Sequence, residues 1–211
     1  MAKEDPNVIY LGSDVGAGTL KEFQEEMPDQ FLVEGIAEAY VIGLGAGLAM
    51  SGKKPYVNTI ATFLTRRCYD QIAIDICMGN HDVRLYANGG GLVYAPLGPT
   101  HLATDDIALM RALPNMAVIV PADADEMERA VLASAKYKGP IYFRVARGGD
   151  PVVPQGEYKF EIGKAIVLKE PKDILLIATG IMVHRALQVA DKLKSEGIQA
   201  GVINVHTIKP L

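Results

Sequence analysis

The segment Gly35-Ile36-Ala37-Glu38-Ala39-Tyr40-Val41-Ile42-Gly43-Leu44-Gly45-Ala46-Gly47-Leu48-Ala49-Met50 carries a single carboxylate at the head of a run otherwise free of charge. The run is long enough for a helix and apolar on every face. Glycines at 43, 45 and 47 would let another backbone approach closely, so it reads as a buried helix over residues 36–51. Burying an unpaired charge costs several kcal/mol, so Glu38 must be hydrogen-bonded or protonated. Two readings are open for it. Glu38 can satisfy free backbone N–H groups near the positive end of its helix, or it can be a carboxylate held for chemistry.

Outward from this helix, short apolar runs alternate with helical patterns. Strands are expected at Asn7–Leu11, Gln30–Val33, Tyr56–Ile60, Val83–Ala87, Ala117–Val120 and Ile141–Val145, and helices at 19–27, 36–51, 63–78, 104–112 and 123–137. That rhythm predicts an α/β fold, a doubly wound parallel sheet covered on both faces. Ligands bind such sheets outside the carboxyl ends of the strands. The loops near 12–18, 34–38, 60–66, 88–101 and 144–149 should therefore share one rim.

Composition narrows the function classes. The chain has 211 residues, 49% of them hydrophobic, enough for one good core and part of a second. A net charge of −4 argues against a nucleic-acid or anionic-membrane surface, and the adjacent basic pairs are Lys53-Lys54 and Arg66-Arg67. The chain reads as soluble and cytoplasmic. Cys68 and Cys77 fall in one expected helix and cannot bridge without breaking it, so no disulfide framework is implied. The apolar run after Gly35 is shorter than a membrane span and contains Glu38.

Residues 149–172 are rich in Pro, Gly and charge and read as a linker between domains, with a hairpin around Phe160–Leu168. The expected division is a ligand-binding α/β domain at 1–148, this linker, and the start of a second α/β unit at 173–211. In that unit Asp173–Thr179 and Gln199–Val205 are strands and Met182–Gly197 a helix. One βαβ unit leaves bare strand edges and a bare helix face, so the sequence is expected to be cut short within this domain.

Glu38 in GIAEA is followed by GKKPYVNTIATFLTRRCYDQI (52–72), GPTH (98–101), ALPNMAVIVPADADEME (112–128) and GPIYFRVARG (139–148). These blocks, in this order, resemble the pyrimidine-binding region of the transketolase family, including the related deoxyxylulose-phosphate synthases. Over roughly residues 7–211 the similarity is greatest to the second, C-terminal subunit of split transketolases. The resemblance implies a thiamine-diphosphate enzyme whose diphosphate and Mg²⁺ are held by a domain with a GDG motif, which this chain lacks. Another polypeptide would supply that half, giving an α2β2 heterotetramer. Gly12-Ser13-Asp14-Val15-Gly16-Ala17-Gly18 has neither the GxGxxG spacing nor the GK[ST] ending of a phosphate loop, and no histidine has the spacing of a metal site.

By the same resemblance, Glu38 matches the glutamate that hydrogen-bonds the cofactor's pyrimidine and favours the imino tautomer that activates the thiazolium. Phe63 matches the aromatic packed on the pyrimidine face; read without the family it is a core aromatic. Ile60 falls where a further stacking aromatic often occurs. His101 in GPTH matches a histidine at the substrate's polar groups. Arg147 matches an arginine that binds a sugar phosphate, for which a guanidinium fork is suited; its other reading is a structural partner for Asp150. Arg66 matches an arginine of the synthase pattern, and its neighbour Arg67 reads as a solvated surface charge.

Departures from the family concentrate in residues 87–97. Glycines at 89–91 stand near the place of a histidine, and Leu97 stands where an aspartate reads a sugar hydroxyl. Losing such a reader changes substrate discrimination strongly; Asn88 and Tyr94 are the candidate replacements, and the other reading of Tyr94 is packing. The implied activity is transfer of a two-carbon ketol unit from a ketose or its phosphate to an aldose. The alternatives are a synthase- or dehydrogenase-type subunit using a 2-oxoacid donor, and a noncatalytic scaffold subunit, against which the retained Glu38 argues.

Overall fold

A computed structural model of the chain describes residues 1–14, 17–153 and 158–211. In chain order its elements are β1 (Val8–Gly12), α1 (Lys21–Glu26), β2 (Phe31–Val33), α2 (Glu38–Met50), β3 (Lys54–Ile60) and a three-part helical run. The run comprises a π-helical turn at Phe63–Arg67, α3 (Tyr69–Gln71) and a second π-helical segment at Ile72–Met78. There follow β4 (Arg84–Asn88), α4 (Asp106–Ala112), β5 (Ala117–Ile119), α5 (Ala124–Ser134), β6 (Ile141–Arg144), β7 (Ile166–Lys169), β8 (Ile174–Ala178), α6 (Met182–Ser195), β9 (Ala200–Asn204) and β10 (Thr207–Lys209). They fall into two compact units, residues 1–118 with 137–144, and residues 119–136 with 145–211.

The first unit is built on a sheet with the strand order β5-β6-β4-β3-β1-β2. β1 runs parallel to β2 and β3, β3 to β4, and β4 to β6. The strands are buried on both faces, as a covered parallel sheet requires: all five residues of β1 are buried, and Val57, Leu85, Tyr142 and Phe143 are fully enclosed. Against the sheet α2 buries Val41, Ile42, Gly45 and Ala46. A Cβ on Gly45 would meet Val57 at 3.1 Å, so the glycine sets how closely this helix approaches β3. The other side of α2 is bare: Ile36 just before it, then Tyr40 and Met50, are exposed, and Cβ atoms built on Gly43 and Gly47 meet only open space. The helix is thus half-buried rather than enclosed on every side.

Other expected elements shift for local reasons. The helix expected at 19–27 breaks into a 3₁₀ turn, α1 and a second 3₁₀ turn at Pro28–Gln30, because proline ends a helix and pushes the preceding Met27 to φ −136°. The expected helix at 63–78 is wound mostly in wider π turns. Val15 and Gly16, in the middle of the loop weighed as a phosphate cradle, lie outside the described residues.

In the second unit, β9 lies between β7 and β8, antiparallel to the first and parallel to the second. The hairpin expected around Phe160–Leu168 does not form, because Ile166–Lys169 finds its hydrogen bonds on the free edge of β9. α6 covers one face by packing Ala190 and the half-buried Leu187 against Ala200, Val202, Leu168 and Leu176 of the strands. Val167, Ile174, Leu175 and Ile177 remain exposed on the strands. The PADADEM stretch has a structural duty here. Asp123 caps α5 by accepting from the Glu126 N–H at 2.8 Å, while the Glu126 carboxylate reaches back to the Ala122 N–H at 2.7 Å. Glu126 also accepts from Tyr158 and Asn204 at 3.0 and 2.9 Å, which satisfies a fully buried carboxylate.

His206, beyond β9, stacks on Phe160 with ring centroids 4.1 Å apart and faces the Thr207 hydroxyl across 2.9 Å. Burial pushes its pKa down from 6.5 to about 4. Between those values the unfolded chain binds a proton that the folded chain refuses. Stability is therefore complete above pH 6.5 and is lost as the pH falls toward 4, by about 2 kcal/mol at pH 5. His206→Phe keeps the ring and removes the titration. Urea unfolding from pH 7 to 5 should show a flatter profile in this variant than in the parent, whereas equal slopes would mean that His206 does not titrate in this range.

Candidate active site

Glu38 opens α2 with a side chain that is almost fully enclosed, and the preceding Ala37 provides no side-chain cap. Its partner is a side chain from another element. Arg67 Nη1 donates to Glu38 Oε2 at 2.7 Å, and the same guanidinium lies over the Phe63 ring, 4.5 Å from its centroid. Phe63 and Arg67 are the two ends of the π-helical turn, whose wider winding stacks the i and i+4 side chains. Arg67 is thus not the solvated surface charge expected from sequence: half of its side chain is exposed, but its head is drawn to Glu38 and the aromatic face. The adjacent Cys68 thiol is buried, its pKa pushed up to about 11 by burial and then by the charge on Glu38.

His101 stands edge-on to the same ring, its centroid 4.9 Å from Phe63 at 71°. Its Nδ1 lies 2.8 Å from the Thr100 hydroxyl, and Tyr94 sits 6.5 Å away. Arg66 does not join this cluster. Its guanidinium binds Asp105 through Nε and Nη2 at 2.9 Å and donates to the carbonyls of Leu102 at 2.8 Å and Pro99 at 3.3 Å. It is a strut under the loop that carries His101. Ile60 ends β3 half-buried, paired in register with Asn88 at the end of β4. Asn88 donates to Asn58, and Asn58 donates to the Tyr10 hydroxyl at 3.0 Å, a polar chain across three strands. Arg147 belongs to the second unit, where it makes no hydrogen bond or ion pair among the described residues, Asp150 included.

Two residues that carry no mark in the sequence shape this loop. Arg144, the last residue of β6, donates from Nε to the buried Asp106 at 2.7 Å and from Nη2 to the Ala103 carbonyl at 3.3 Å. Tyr142, two residues back on the same face of the strand, donates to the same Asp106 oxygen at 2.8 Å; burial, and then the Asp106 charge, hold its phenol far above its ordinary pKa. A Cβ on Gly90 would lie 2.8 Å from Arg144, and one on Gly91 3.0 Å from its Nη2. Gly89 and Gly91 also have φ of 79° and 69°, a region costly for other residues, and a Cβ on Gly89 would collide with the Tyr94 ring. The three glycines are therefore the space that Arg144 and Tyr94 occupy. Leu97 is exposed on the same loop.

Residues 1–149 match the family model of the transketolase pyrimidine-binding domain, and residues 163–211 that of the transketolase C-terminal domain. The chain belongs to the transketolase family. It is 42% identical over its whole length to a transketolase family protein of Sinorhizobium fredii, of which it spans 61%. It is 36% identical to one of the apulose-4-phosphate transketolase subunits of Phocaeicola vulgatus, of which it spans 68%. Among solved structures, a split-gene transketolase described as an inactive β4 tetramer superposes with a TM-score of 0.90 at 38% identity, covering 99% of this chain and 68% of that one.

Within this transketolase fold, Gly90→Ala drives a methyl into Arg144 and should destabilise the chain by about 1–3 kcal/mol, the usual range for overpacking. Combined with Arg144→Ala, whose own cost is that of removing the counter-charge of the buried Asp106 and leaving it only Tyr142, the added cost of Gly90→Ala should largely vanish. Denaturant midpoints for the four proteins of this cycle decide it; strict additivity would show that the glycine is not making room for the arginine.

Proposed function

We propose that this chain is the pyrimidine-binding subunit of a split, thiamine-diphosphate-dependent transketolase-like enzyme that moves a two-carbon ketol unit from a ketose or its phosphate to an aldose. The observation that carries the reading is the seat formed by Glu38 and Phe63: a buried carboxylate oxygen accepting from a flat nitrogen cation that lies on an aromatic ring. That is the acceptor-and-stack set an aminopyrimidine needs, so the residues present fit the cofactor's ring. Bound thiamine diphosphate supplies a carbon nucleophile for cleaving and forming the bond beside a carbonyl. Glu38 would hold the proton at the ring nitrogen, Phe63 with Ile60 would wall the ring, and His101 would face the substrate's polar groups with Asn88 behind it. Arg147 is assigned to an anionic end of the substrate. Arg66 acts on the cofactor side only through the loop it braces.

The diphosphate and its Mg²⁺ are assigned to a GDG-bearing partner in an α2β2 assembly, formed in the cytoplasm. Two observations support a required partner. The face of α2 that begins at Ile36 is apolar and bare, and the structurally similar β4 tetramer is described as inactive. A second reading, a 2-oxoacid as donor, is favoured by the glycines at 89–91 and by Leu97, which leave the loop without its sugar-hydroxyl readers. Product analysis with pyruvate against a ketose phosphate separates the two.

With its partner present, Glu38→Gln should slow exchange of the cofactor's C2 proton by at least about 10²-fold while circular dichroism stays unchanged. A variant exchanging as fast as the parent would make Glu38 a structural carboxylate.

At the substrate end, Arg147→Ala should raise KM for phosphorylated donors about tenfold or more with little change for neutral ones, since an anion contact is present in ground and transition states alike. His101→Ala should instead lower kcat, because its bond strengthens as charge develops during carbon–carbon cleavage. Equal losses on phosphorylated and neutral donors would remove Arg147 from the site.

A further inference from the structure

Arg66 and Arg67 are neighbours with opposite attachments. Arg66 is tied to a carboxylate and two carbonyls and cannot leave without undoing a loop. Arg67 has one hydrogen-bonded partner among the described residues, Glu38, and one stacking partner, Phe63, while half of its side chain stays in solvent. Its guanidinium is planar, carries N–H groups along one edge and offers a flat face to an aromatic ring. An aminopyrimidine presents the same features, an amidine-like edge and a flat face. Glu38, for its part, is enclosed and cannot be left without a donor once Arg67 departs.

We propose that Arg67 is a built-in occupant of the pyrimidine seat: in the chain by itself its guanidinium fills the place between Glu38 and Phe63 that the cofactor's ring takes, and it must swing out into solvent for the ring to enter. This rests on the pyrimidine assignment of Glu38 and Phe63 and adds that the seat is self-closed. The closed form keeps the carboxylate paired while no cofactor is present, and it lowers the apparent affinity for the ring by the fraction of time that Arg67 is in place. A ligand offering both a donor edge and a flat face exchanges with Arg67 at little cost, because it replaces both contacts that Arg67 gives up. A ligand offering only one of them does not. The contact is therefore a selective inhibitory element, sited four residues along the helix from the ring it covers.

The test uses the full chain and hydroxymethylpyrimidine, the aminopyrimidine fragment of thiamine, which lacks the diphosphate and so needs no partner subunit. Titrations followed by NMR compare the parent with Arg67→Ala, Arg67→Lys and Glu38→Gln. The fragment should bind Arg67→Ala at least tenfold more tightly than the parent, and Arg67→Lys, which keeps the charge but loses the plane, to an intermediate degree. In the parent, the Arg67 guanidinium Nη–H signal, whose proton is held on Glu38 and which is assigned by its loss in Arg67→Lys, should lose protection from solvent exchange as the fragment binds. That last readout holds even where Arg67→Ala fails to fold with its carboxylate unpaired. Binding by the Arg67 variants no tighter than by the parent, or an Nη–H that stays protected in the bound state, overturns the proposal; if Glu38→Gln nevertheless abolishes binding, the pyrimidine assignment survives alone. If the fragment binds none of these proteins, or binds Glu38→Gln as well as the parent, the pyrimidine assignment falls and the closed seat with it.

Discussion

The constraint on which the site depends is that a carboxylate taken out of water must be given a donor. Glu38 is placed at the buried start of α2 by the packing of Val41, Ile42 and Gly45 against the sheet, and no side chain of its own helix satisfies it. The partner therefore has to come from across the structure, and the turn that follows β3 supplies it. Winding that turn as a π helix puts Phe63 and Arg67 one above the other, so a single guanidinium neutralises the carboxylate and covers the ring. His101 completes the cluster from a loop that Arg66 braces from beneath.

A second buried acid organises the neighbouring loop by the same logic. Asp106 receives Tyr142 and Arg144, two residues on one face of β6, and Arg144 then reaches the Ala103 carbonyl in the loop. Space for that guanidinium exists only because residues 90 and 91 have no side chains, and Gly89 makes the same room for the Tyr94 ring. The glycines at 89–91 are thus a packing requirement. Any polar side chain restored there would have to displace Arg144 or Tyr94.

In the second unit, the acids of the PADADEM stretch serve the backbone. Asp123 and Glu126 close the first turn of α5 and saturate their own oxygens with Tyr158, Asn204 and the Val153 N–H. Sequence blocks that jointly identify a family need not all carry chemistry: this one identifies it through a helix start.

The α/β class, the parallel strands and the order of the elements were legible from the alternation of apolar runs and helical periods, because burial on both faces of a sheet leaves a compositional mark on each strand. Glu38 was legible as a residue needing a partner, and the family resemblance supplied Phe63 and His101. The sequence could not say which of two adjacent arginines meets the carboxylate. That choice turns on a wide helical turn rotating one side chain inward and its neighbour out onto Asp105, a rotation of one residue that no periodicity records. Nor could it show Arg144 or the reason for three glycines in a row, since both follow from a contact between strand end and loop far apart in the chain. Local pattern determines what an element is and which face it buries; which charges meet is decided only when elements distant in sequence are packed, because the cost of an unpaired buried charge is settled in three dimensions.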